Sequence, residues 1–147
     1  MLYIYFLLAV LTGIANSTQS GVNSQLRHGL NNPIMAAIGS FGIGFLTLIG
    51  VQLLTGNSTP SLETVRSISW WKWTGGLLGA FYVTTVIFTV PRIGAASLLS
   101  LSIAGQLLAA VLYDHYGYLG FPLHPANGWR VLGVVLMIVG VVLVVKN

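Results

Sequence analysis

The side chains able to do chemistry in this chain are amides before anything else. Asn16, Gln19 and Asn23 recur at spacings of three and four, with Thr12 and Ser20 completing the series. At 100° per residue these five fall within an arc of roughly 100° on one helical face. An amide carries donors and acceptors together, which suits a neutral or zwitterionic polar solute better than a bare cation. Gln106, near the middle of a later apolar segment, and Tyr82, beside a flat glycine face, offer the same chemistry. The expected substrate site is therefore Asn16, Gln19, Asn23, Tyr82 and Gln106. The competing use of such residues is hydrogen bonding between helices, at roughly 0.6 to 2 kcal/mol per bond. Three amides on one stripe, with a fourth at the centre of another helix, favour a cavity.

Ionisable chemistry is scarce. The chain has two acids, Glu63 and Asp114. Asp114 lies near the end of an apolar segment beside His115, so it is a candidate coupling group for protons. Its place at a helix end also allows hydration or pairing with Arg130. His115 and His124 share a loop rich in Pro and Gly, which is weak evidence for a metal. Without cysteine there is no disulfide, thiolate or Cys-based metal site. An enzyme would need paired carboxylates, a nucleophile–base pair or metal ligands inside the fold. The sequence offers none, so neither catalysis nor a cofactor is expected.

The elements that must position these groups are membrane helices. Of the 147 residues, 55% are hydrophobic and 5% charged, against about 25% charged in soluble domains. Mean hydropathy is +0.86. The expectation is one all-α polytopic membrane domain over 1–147, with spans at about 3–25, 33–55, 71–90, 94–113 and 129–145. The net charge of +4 is spread one or two basic residues per loop, which argues against nucleic acid as a partner. The first segment lacks a basic n-region, so it reads as a span and not as a cleaved signal peptide.

Asn31 or Asn32 can cap the second span, with Pro33 at its first position. Gly39, Gly42 and Gly44 in that span suggest close packing against a neighbour. They make no phosphate loop, because no strand precedes them and no basic residue is near. Residues 56–69 form a polar interfacial loop with room for a short helix after Pro60. Trp70, Trp71 and Trp73 mark the membrane–water boundary. Gly75 and Gly79 stand four apart in the third span, which Pro91 and Arg92 should close. Gly133 and Gly140 share one stripe of the last span, a surface for helix or dimer association.

Five spans place Arg66, Lys72 and Arg130 on one side and Arg27, Arg92 and Lys146 on the other. The bias that normally fixes orientation is zero. An even count fits a chain inserted both ways, whose oppositely oriented copies form an inverted pair.

Several stretches together resemble one family. They are Gln19-x3-Asn23-x2-Leu26-Arg27, Asn32-Pro33-x2-Ala36, and the run from Trp70 to Val83 containing Gly75-Gly76-Leu77-Leu78-Gly79-Ala80-Phe81-Tyr82. Later come Pro91-Arg92-Ile93-Gly94-Ala95-Ala96, Ala104-Gly105-Gln106-Leu107, Asp114-His115-Tyr116-Gly117, and Arg130-Val131-Leu132-Gly133 with Gly140. The chain resembles, over nearly its whole length, the five-helix YdcZ-like family of the drug/metabolite transporter superfamily. The resemblance implies a bacterial inner-membrane exporter of a small metabolite or drug, working by alternating access. It implies five-helix units paired as an antiparallel homodimer or as a heterodimer with a related chain. An accessory subunit that acts only with a paired partner is the alternative. The Gly-x6-Gly last helix is similar to the dimerising helix of the small multidrug resistance exporters. Those proteins carry an embedded glutamate in their first helix, whereas this first helix has amides and no acid.

Overall fold

A computed structural model describes residues 2–147, and among them every regular element is helical. Six α-helices run in order: α1 (Leu2–Leu30), α2 (Pro33–Thr55), α3 (Leu62–Ser67), α4 (Thr74–Ile93), α5 (Ala95–Tyr116) and α6 (Gly128–Lys146). Short 3-10 turns occupy Trp70–Trp73 and Tyr118–Gly120. The helices form two units, one ending at Arg92 and the other spanning Ile93–Asn147.

Four helical segments are long and apolar enough to cross a membrane: Pro33–Thr55, Trp70–Ile93, Ala95–Tyr116 and Gly128–Lys146. The first expected span, α1, is outside that set among the described residues. It has the length to span, and its second half is rich in amides, hydroxyls and glycines.

Local chemistry sets the boundaries. Asn32, extended at φ −151°, caps α2 by accepting from the Ile34 and Met35 amides, and Pro33 needs no partner at the first turn. Gly56 ends α2 in the left-handed region. Helix α1 continues past the expected limit at 25 to Leu30. Arg27 and His28 sit in its last turn, where positive charge suits the free carbonyls. Asn31, at φ 51°, then ends it. In the interfacial loop, Ser61 caps α3 through the Thr64 amide, so the short helix after Pro60 is present.

The first unit is built where α1, α2 and α4 meet. Its core holds Ala36 and Ala37 from α2 and Val83 and Ile87 from α4, with Leu26 and Tyr82 packed against it. The small α2 residues let the helices approach. Of the α2 glycines expected at a close contact, only Gly39 has one, with Leu26 at 3.7 Å from where a Cβ would stand. Gly42 and Gly44 open onto free space, and the packing role falls to the two alanines instead. Gly79 meets the Phe41 ring at 3.7 Å, whereas Gly75 meets nothing within 4 Å.

Pro91 does not close α4 at residue 90 as expected. The helix runs to Ile93 with Pro91 inside it. Proline donates no hydrogen bond to the carbonyl four residues back, which here belongs to Ile87. That carbonyl instead accepts from Arg27 Nη1 of α1 at 3.3 Å. A side chain from another helix takes the place of the missing backbone donor.

The second unit is α5 packed on α6, with Leu98, Val134 and Val141 buried. Asn127 caps α6 through the Arg130 amide. A Cβ placed on Gly133 or Gly140 would meet no neighbouring atom within 4 Å. Close packing among the described residues therefore does not use either glycine.

Candidate functional site

The amide stripe of α1 turns toward α4. Ser20 and Asn23 are 2% and 3% exposed, and Asn16 is half-buried. Asn16 Nδ2 donates to Tyr82 Oη at 2.9 Å. Ser20 Oγ donates to the Asn16 backbone carbonyl one turn back in its own helix at 3.0 Å. Asn16, Gln19, Ser20, Asn23 and Tyr82 line one narrow cleft, floored by Val83 and Val86. Four of the five expected site residues thus meet in the first unit. Thr12 does not join them: it is exposed and donates back to the Ala9 carbonyl of its own helix.

The cleft is polar on the α1 side and apolar at its base, and its groups are unequally satisfied. Tyr82 accepts from Asn16, which leaves its own hydroxyl proton uncommitted. Asn23 makes no side-chain hydrogen bond among the described residues. No side-chain polar atom is both fully enclosed and unpartnered, so the Asn23 amide keeps a narrow opening onto the cleft. Gln19 is exposed and also borders a wider groove of about 340 Å³ lined by Ser40, Phe41, Gly44, Phe45 and Leu48. That groove is mostly apolar. A broader furrow of about 470 Å³ runs along α4 past Leu77, Phe81 and Phe88. It lies on one helix, and its polar side chains are the hydroxyls of Thr84, Thr85 and Thr89, with no amide, acid or base among them.

The remaining expected site residue, Gln106, lies in the second unit. It is exposed, and its Nε2 donates to Ser102 Oγ one turn earlier at 3.0 Å.

Asp114, the candidate coupling group, also lies in the second unit and is tied to the α5–α6 loop. Its Oδ2 accepts from Arg130 Nη2 at 3.0 Å. Arg130 Nη1 donates to the His124 carbonyl at 2.8 Å, and the His124 amide donates to the Asp114 carbonyl at 2.8 Å. His115 Nδ1 accepts from the Ala126 amide at 3.0 Å. Both the acid and its neighbouring histidine thus hold loop backbone and Arg130 in place.

In the sequence, Arg27 reads as a topology marker at the end of a span. The signal that could have raised it further is its spacing: four residues past Asn23, it continues the amide stripe by one turn. Pro91, four residues after Ile87, marks the carbonyl it serves.

Comparison with known proteins places relatives of this chain in the inner membrane. A family model described as "Putative inner membrane exporter, YdcZ" matches residues 4–143. The chain is 26% identical over 138 residues to inner membrane protein YdcZ of Escherichia coli (strain K12), an alignment covering 94% of this chain and 92% of that protein. No solved structure matches it significantly.

Proposed function

The chain belongs to the YdcZ inner membrane exporter family, a multi-pass inner membrane protein, and on that premise we propose that it exports a small polar metabolite or drug by alternating access. Asn16, Gln19, Asn23 and Tyr82 are the substrate-contacting wall. The observation that carries this reading is Asn23, an amide 3% exposed that bonds no other protein group and opens narrowly onto the cleft lined by Asn16, Gln19 and Tyr82. Unsatisfied polar groups at membrane depth cost several kcal/mol, so a ligand that bonds Asn23 gains that stabilisation. In the closed cleft Asn16 of the polar wall bonds Tyr82 across it; a solute replaces that bond when α1 and α4 part.

In this proposal α1 is a fifth span whose polar half is sheltered by α4. A second copy, inserted the opposite way, completes the transporter. The even distribution of Lys and Arg supports that arrangement, as do the open stripe of Gly133 and Gly140 and the exposed Gln106. An amide at mid-span is costly against lipid, and a partner chain relieves it. Asp114 is read as a loop fastener paired with Arg130, with ion coupling the competing role.

Purified protein in liposomes, loaded in turn with polar metabolites and cationic drugs, tests the central claim. Efflux of at least one solute is expected, and Asn23→Ala should slow it by about tenfold, the scale of one lost hydrogen bond to a bound ligand. Full efflux by the Asn23→Ala protein would remove the cleft from the mechanism. Efflux that appears only after a related five-helix chain is added would make this protein one half of a heteromeric transporter.

A further inference from the structure

We propose that Arg27 is the anion contact of the α1–α4 cleft, so that the solute taken there carries a carboxylate or phosphate group. This rests on the reading of the cleft as a substrate site and narrows its ligand class. Three observations carry it. First, Arg27 lies one turn beyond Asn23 on the same face of α1, and it bonds α4 at Ile87, adjacent to the cleft residue Val86. Second, its positive charge is unmatched. The one ion pair among the described residues joins Arg130 to Asp114, and the other acid, Glu63, lies in α3. Third, its hydrogen-bonding capacity is largely unspent. A guanidinium has five N–H donors, and Arg27 commits one, at 3.3 Å, to a neutral carbonyl.

The direction of the side chain argues for a solute over a lipid headgroup. Half-buried Arg27 reaches inward to the carbonyl of a residue with 0% exposure. An arginine serving the bilayer surface extends outward along the helix end instead. The neighbouring Arg92 is exposed and adds to the positive field at this end of α1 and α4. A carboxylate or phosphate accepts two parallel bonds from the guanidinium fork, roughly twice as strong individually as a bond between neutral groups. The Ile87 carbonyl thus holds the fork while the cleft is closed, and an anionic oxygen displaces it when the solute enters. The amides of Asn23 and Gln19 then bind the uncharged polar remainder.

Arginine-specific labelling of the full-length protein tests this. The protein is reconstituted in phosphatidylcholine liposomes, treated with phenylglyoxal, and mapped by peptide mass spectrometry. The rate at Arg27 is compared with the exposed Arg66 and Arg92 in the presence of succinate, inorganic phosphate or neutral succinamide. Succinate or phosphate should slow Arg27 selectively, and succinamide should not. Asn23→Ala should raise the half-protecting concentration by about tenfold, as for loss of one hydrogen bond to a charged ligand. Equal protection of all three arginines, equal protection by succinamide, or no protection at Arg27 would overturn the proposal. Protection that requires added phosphatidylglycerol would overturn it too, assigning the charge to a lipid headgroup. Arg27 protection without efflux of any loaded solute would retire the exporter reading and keep the anion site. Efflux confined to neutral or cationic solutes, unchanged by Arg27→Gln, would do the reverse.

Discussion

Two residues of the cleft separate a binding wall from a structural hydrogen-bond cluster. Tyr82 and Asn16 bond each other across α1 and α4, whereas Asn23 is buried and bonds nothing. Tyr82→Phe removes a real interhelical bond and should cost about 0.6 to 2 kcal/mol of stability. Asn23→Ala removes no bond within the protein, so its thermal stability should stay close to that of the wild type, while transport falls. Thermal unfolding in detergent and efflux from liposomes measure the two effects separately. If Asn23→Ala destabilised the protein as much as Tyr82→Phe and left efflux intact, the cleft would be structural. The stripe itself is legible from residue types and helical spacing. Its satisfaction pattern is not, because which amide finds a partner depends on the rotation of α4 beside it.

At the scale of elements, the α1–α4 pair depends on a substitution of donors. Pro91 cannot serve the Ile87 carbonyl, and Arg27 does. Arg27→Gln should therefore destabilise the protein by about 1 to 3 kcal/mol, the cost of a buried carbonyl left without its donor. Pro91→Ala restores a backbone N–H at the right place, so the double variant should recover most of that loss. A double-mutant cycle by chemical or thermal unfolding reads this coupling directly. Purely additive losses would show that the two positions act independently. In the second unit, the Asp114–Arg130 pair is partly exposed, with side-chain accessibilities of 23% and 36%. Asp114→Asn should then cost under about 1 kcal/mol, seen as a small drop in melting temperature. A loss of transport with no change in melting temperature would instead assign Asp114 to ion coupling.

At the scale of the whole molecule, the proposed transporter turns on how copies pair. Gly133 and Gly140 straddle the middle of α6 almost symmetrically. In an antiparallel pair, Gly133 of one copy therefore stands at the depth of Gly140 of the other. The chain has no native cysteine, which makes the test clean. Gly133→Cys and Gly140→Cys proteins, co-expressed, should cross-link to each other more efficiently than either does to itself. A parallel pair would show the opposite preference. A reporter at the C-terminus should appear on both sides of the inner membrane, and a one-sided signal would rule out dual insertion. Fusion of the reporter after Leu30 would establish whether α1 spans, the point on which its composition is least decisive.

Composition alone determined the solvent of this protein, since a chain with 5% charged residues cannot be stable with its helices in water. Hydrophobic period and capping residues then located the helices to within a few positions. Asn31 or Asn32 before Pro33 gave the start of α2 because capping is local chemistry, set by neighbours in the chain. Where the reading missed, the deciding partner was distant in sequence. Pro91 reads as a helix end until Arg27, sixty-four residues earlier in the chain, is seen to replace its missing donor. Gly42 and Gly44 read as packing sites until Ala36 and Ala37 are found buried in their place. Asn16, Gln19 and Asn23 share a face by helical geometry alone. That the face closes on Tyr82, leaving Asn23 almost buried and without a protein partner, was decided only when α1 and α4 packed together, because hydrogen-bond satisfaction belongs to pairs of helices and not to one.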